Sequence, residues 1–205
     1  MGYPAFFDQV PSITLYDPLG DLLGAFEQGD LEISYYDCTK LAGHSCPTVA
    51  SAYLMAHAGL RALYPDTPPV RSRIRVELQA PKEEGVAGVI GNVVAYIVGA
   101  GDEGGFKGIG GVYARNNLLS YGHSALQGTL RLTDIDNHIS VTLSADTSLV
   151  PGSPDMAPLM QKSMQGIATA EEEQKFQTLW QNRVKAILLD EDIQKKILTL
   201  TKENV

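Results

Sequence analysis

A chain of 205 residues with 24 acidic and 16 basic side chains carries a formal charge of −8. That balance argues against a surface built for nucleic acid or anionic lipid, and no apolar run reaches the ~18–20 residues a membrane span needs. Two cysteines do not make a secreted disulfide framework, and Met1–Asp8 shows no basic region ahead of an apolar stretch, so the chain reads as cytoplasmic with reduced thiols.

In chain order, Ser12–Tyr16 is expected as a short strand, closed by the turn chemistry of Asp17-Pro18-Leu19-Gly20. Asp21–Phe26 is expected as a short helix, and the alternation in Leu31–Tyr35 as a strand. Pro47 should open a helix that ends near Tyr64-Pro65, with Val49, Tyr53, Ala56, Leu60 and Leu63 on its apolar face. Arg73–Gln79 alternates as a half-buried strand does. Asn92–Val98 is uniformly apolar and is expected as a central strand, with a helix as the alternative. Gly110–Ala114 is a further strand candidate. Thr129–Leu132 and Ile139–Leu143 flank Asp134–Asn137 as a hairpin.

Residues 150–158 hold three prolines and read as a linker. Beyond it the pattern is helical. Ala170–Leu189 carries the stripe Phe176, Leu179, Trp180, Val184, Ile187 and Leu188, and Asp190 caps a last helix with Ile193, Ile197 and Leu200 on its apolar side. The expected architecture is an α+β domain over residues 1–150 and a C-terminal helical extension over 151–205. The extension's stripe must be buried, either on its own domain or in a homodimer.

The chemistry concentrates in Asp37–Pro47, which holds both cysteines and one of four histidines. Cys46 stands immediately before Pro47, at the mouth of a helix, where free N–H groups and the dipole favour the thiolate. His44 and Cys46, with Cys38 as a third ligand, offer the mixed nitrogen and sulfur donors that zinc or another divalent transition metal accepts. Two other readings stand beside this one. Cys38 and Cys46 form a redox pair if their Cα atoms approach within about 7 Å, or the loop is simply two buried thiols and a capping histidine. Asp37 either orients His44 or caps a turn.

Gly99, Gly101 and Gly104 fit G-x-G-x-x-G, but no helix-like pattern follows, so a dinucleotide site is disfavoured. The stretch reads as a loop, or as a flap over the cysteines with Lys107 meeting an anion. His123 is a candidate extra ligand or base; His57 and His138 read as exposed.

At Gly43-His44-Ser45-Cys46-Pro47 the chain resembles the FmdE-like family, named after a component of formylmethanofuran dehydrogenase, whose members carry Gly-His-x-Cys-Pro at a helix start. The similarity spans roughly residues 30 to 125, with an echo in Asn116–Gly122. The resemblance implies an α+β fold with an antiparallel sheet, dimers, and a metal, commonly zinc, held around His44 and Cys46. Where that family has a second histidine, this chain has Ala42, and its glycine-rich stretch has no cysteine. The expected function is thus a metal-binding protein of unassigned reaction. The alternative is a non-catalytic accessory protein that holds a small-molecule ligand or heme.

Overall fold

The computed structural model describes residues 2–204. Strand β1 (Ile13–Tyr16) pairs antiparallel with β2 (Asp30–Ile33) as a small separate ribbon. Between them lies helix α1 (Pro18–Leu22). The expected turn at 17–20 is therefore a helix start, and the expected helix at 21–26 begins earlier. The cause is local: Pro18 occupies the first helical position, and the Asp17 carboxylate caps it by accepting from the Leu19 and Gly20 amides at 3.1 and 2.9 Å.

Helix α2 (Tyr35–Ala42) follows β2 directly. Alternation stops at Ile33, because Ser34 and Asp37 form a reciprocal capping box that turns Tyr35 into helix. Cys38 thus lies on a helix rather than in a loop. Gly43 ends α2 in the left-handed region (φ 74°), and a short turn later α3 (Pro47–Leu63) begins as expected.

Strand β3 (Ile74–Leu78) leads to α4 (Ala87–Val98). Asn92–Val98 takes the helical alternative, not the strand. Its uniform apolarity reflects a helix buried on most sides, against α2, α3 and β3. Strands β4 (Leu119–Ser120), β5 (Leu130–Asp134) and β6 (Ile139–Ala145) follow, the last two as the expected hairpin. Gly110–Ala114 forms no strand; only an isolated bridge joins Ile109 to Val112. Helix α5 (Met156–Met164) begins inside the expected linker, with Pro158 tolerated in its first turn. Helices α6 (Ala170–Leu189) and α7 (Glu191–Ile197) complete the C-terminal set. Leu200 is not on the last helix, because β7 (Leu198–Asn204) continues from it as a strand.

The main sheet runs β4-β3-β5-β6-β7, antiparallel except for the β3–β4 pair. Its inner face, Ile74, Val76, Leu78, Leu130, Leu132, Val141 and Leu143, is at most 1 % exposed. Helix α3 lies across this face. It comes close because Gly59 has no side chain: a Cβ there would stand 2.8 Å from a Leu132 methyl and 3.1 Å from one of Leu143. Helices α2, α4 and α6 pack around α3. The α+β class with C-terminal helices is thus what the chain adopts, and α3 is its hub. Among the described residues, no helix is long and apolar enough to cross a membrane.

At the β1–α1 corner, Asp17 is fully buried and takes two guanidinium groups, Arg71 Nη1 at 3.0 Å and Arg115 Nη2 at 2.8 Å. Burial pushes its carboxyl up. The Gly20 amide and the two arginines outweigh that and hold it below the usual carboxylate range. This cluster ties the corner to the end of α4 and to the glycine-rich segment.

Candidate functional site

Cys46 is the N-cap of α3, and its Sγ accepts from the Val49 amide at 3.4 Å. Sulfur therefore occupies the position usually held by a Ser or Asp oxygen, and the side chain is nearly buried. Cys38 is fully buried under α2, and burial pushes its thiol up to about 12. Both thiols are free. The Tyr35 phenol senses both of them. Burial first, then each neighbouring thiol, raises its ionisation well above the ordinary tyrosine range.

His44 is exposed. Its Nδ1 lies 2.9 Å from the Ala42 carbonyl oxygen. A carbonyl only accepts, so Nδ1 carries the proton, and the lone pair is on Nε2. This is the tautomer that a backbone carbonyl imposes on metal-ligating histidines. Asp37 does not orient His44; it serves the α2 cap and pairs with Lys40 at 2.6 Å, the capping alternative of the two.

Ser45 is the most heavily held residue of the motif. The Trp180 indole Nε1–H donates to its carbonyl at 2.9 Å, and Gln181 Nε2 reaches the same oxygen at 3.4 Å. Ser45 Oγ donates to Gln181 Oε1 at 3.0 Å. Having one hydrogen, that hydroxyl accepts from the Tyr35 phenol at 2.9 Å. The motif is thereby fixed from α2 on one side and α6 on the other.

His44 and Ser45 form one wall of a surface pocket of about 750 Å³. Phe176, Trp180 and the amides of α6 form the facing wall, and Pro4 and Phe6 close one end. The Phe176 and Trp180 rings stand 5.7 Å apart, tilted by 51°. Periodicity alone places Phe176 and Trp180 on a buried stripe and misses that they face the motif. The signal in the sequence is Gln174, Gln177 and Gln181, a polar row at helical spacing beside those rings.

Other predicted residues lie elsewhere. His123 hydrogen-bonds Ser120 Oγ through Nε2 at 2.8 Å, sits 3.7 Å from Glu77, and lines a different pocket, over the outer face of the sheet. His57 is half-buried beside Tyr53 and Leu188, not solvent-facing, and burial and then Arg61 lower its pKa. His138 occupies the β5–β6 turn with φ 56°.

The glycine-rich segment is no flap over the cysteines. Gly101 and Arg115 are joined at 2.6 Å, Leu118 returns to Gly101 at 2.9 Å, and Val112–Ala114 line a cavity with Pro18, Leu19 and Arg71 instead. The segment leads into β4, not into the helix a pyrophosphate site requires. Lys107 is exposed on it.

Among the described residues, no three His, Cys, Asp or Glu side chains are gathered closely enough to hold a metal ion. Comparison with protein-family models and with curated proteins finds no match to this chain. Fold and site together define the class: an α+β chain with a Cys-capped central helix, whose preceding histidine opens onto an aromatic pocket.

Proposed function

We propose that the chain is a metal-binding protein of the kind its Gly-His-x-Cys-Pro motif resembles, with His44 and Cys46 as ligands and Cys38 as the third. The observation that carries this reading is the His44 tautomer, which leaves Nε2 as a free, exposed donor just ahead of the α3 start. Sulfur at the helix N-cap adds to it, a soft donor two residues beyond the imidazole. His44 fits a metal as it stands. Cys46 fits by releasing the Val49 amide, while Cys38 is fully buried and not gathered with the other two, so it fits only after a rearrangement. A bound zinc or other divalent ion would supply Lewis acidity or an activated water. The chain's own residues then have separate tasks: Ala42 orients the imidazole, and Trp180 and Gln181 hold Ser45.

The test is metal analysis of protein purified without a metal-affinity step. Wild type is expected to carry zinc or a similar ion in stoichiometric amount, and His44→Ala to lose ~10–100-fold in affinity or more. Undiminished metal in His44→Ala removes His44 from the ligand set. The rival reading, a non-catalytic accessory protein holding a small ligand or heme, draws on the pocket beside His44. A visible spectrum separates it, because an iron porphyrin on His44 gives a Soret band and zinc gives none.

A homodimer through the C-terminal helices belongs to the same proposal. Met164 and Ile167, at the α5–α6 turn, are 80 % and 64 % exposed and would be the apolar contacts of that dimer. Sedimentation equilibrium should show twice the chain mass for wild type and a shift to monomer for the double variant Met164→Glu/Ile167→Glu. A wild-type monomer refutes it.

A further inference from the structure

The pocket beside His44 has a composition that specifies its occupant. Charged residues make up 20 % of the chain, yet none of the eleven residues lining this pocket is Asp, Glu, Lys or Arg. Two cations of α6 are held by partners outside the pocket lining. Lys175 pairs with Asp155 at 2.7 Å, and Arg183 donates to the Val150 and Thr147 carbonyls at 2.6 and 3.0 Å. What remains is an aromatic surface from Phe6, Phe176 and Trp180, and a row of neutral amides. Gln181 is committed to Ser45, while Gln174, Gln177 and Asn182 make no side-chain hydrogen bond to the described residues.

A phosphate or carboxylate entering this space would find no lysine or arginine side chain to replace its water, and burial of an uncompensated charge is heavily disfavoured. A flat ring finds faces to stack on and, at its edges, amides able both to donate and to accept. We propose that the pocket binds a neutral, planar aromatic or heteroaromatic molecule bearing amide-like or hydroxyl edges, and that it rejects anionic analogues of the same shape. The inference rests on the metal reading only for what the ring presents to His44; ring and amide recognition stand without an ion.

Trp180 is the only tryptophan of the chain, so its single indole N–H resonance reports occupancy. The probes are 2-naphthamide and the isosteric anion 2-naphthoate, titrated by calorimetry and by that resonance against wild type stripped of metal, because an ion on His44 would itself draw the carboxylate. Wild type is expected to bind the amide about tenfold or more tightly than the carboxylate. Phe176→Ala should weaken the amide, and Gln177→Arg, at an exposed position, should reverse the order. Equal or preferential binding of 2-naphthoate to wild type overturns the proposal. So does the absence of any change at Trp180 with either probe.

Acrylamide access to Trp180 that falls as protein concentration rises, without probe, would show that a second copy fills the cleft, and also overturns it. His44→Ala keeps the two readings apart. Amide binding that survives while the metal is lost supports both; amide binding with metal content unchanged supports the ring pocket and sinks the metal site.

Discussion

Replacing Asp17 by asparagine will destabilise the protein by about 3–5 kcal/mol, the cost of removing one partner from a buried ion cluster. Asp17 is fully buried, and the Arg71 and Arg115 side chains that flank it are only 13 % and 20 % exposed. Asparagine preserves shape and one cap acceptor but leaves two guanidinium charges without a counter-charge. Against a typical total stability of about 5–15 kcal/mol, that is a large share. The pH dependence follows from the direction of the shift. The folded-state carboxyl lies below its unfolded value, so its stabilisation is fully present above the unfolded value, about pH 4, and is lost as pH falls through the folded one. Urea midpoints of wild type and Asp17→Asn should therefore differ widely at pH 7 and converge as the pH drops below about 4. A difference that stays constant down to strongly acidic pH would assign the loss to the α1 cap alone.

Ending the chain after Val150 will abolish the native fold instead of leaving a trimmed domain. The removed part contributes Val184, Ile187, Leu188 and Ile197, each no more than 4 % exposed, to the core around α3. At roughly 1.5–3 kcal/mol for each large apolar side chain buried, these four account for about 6–12 kcal/mol, as much as the net stability of most domains. Truncation also strips β7 from β6 along its full length, leaving a hydrogen-bonding edge open. Circular dichroism and proton dispersion should show a collapsed or aggregated chain. A cooperative melt of residues 1–150 within a few degrees of the intact protein would show that the C-terminal helices are dispensable.

What could be read in the sequence was what local chemistry decides. Pro47 after Cys46 marks a helix start, and α3 follows with the stated apolar face. Alternation found β3, and the turn chemistry of Asp134–Asn137 found the β5–β6 hairpin. Reading failed where two local signals compete. Leu31–Tyr35 alternates, but the Ser34–Asp37 capping box takes over at Tyr35 and puts Cys38 on a helix. Asn92–Val98 lacks a polar face because its helix has almost no solvent side, so periodicity had nothing to show. Leu200 fits a helical stripe only until β6 offers a strand partner.

The site was half legible. His44 and Cys46 are close in sequence, and Pro47 marks their place at the start of α3. The facing wall comes from Trp180 and Gln181, 135 and 136 residues from Ser45, and no spacing rule reaches that far. The Asp17 cluster likewise joins partners 54 and 98 residues apart. Both depend on tertiary closure.

The bond from Trp180 to the Ser45 carbonyl also fixes an order of events during synthesis. The motif leaves the ribosome early, but the helix that immobilises it emerges only after β1 through β6 have been translated. A nascent chain therefore carries His44 and both thiols on a segment not yet clamped by α6 for most of its production, and the aromatic cleft comes into being only as α6 docks.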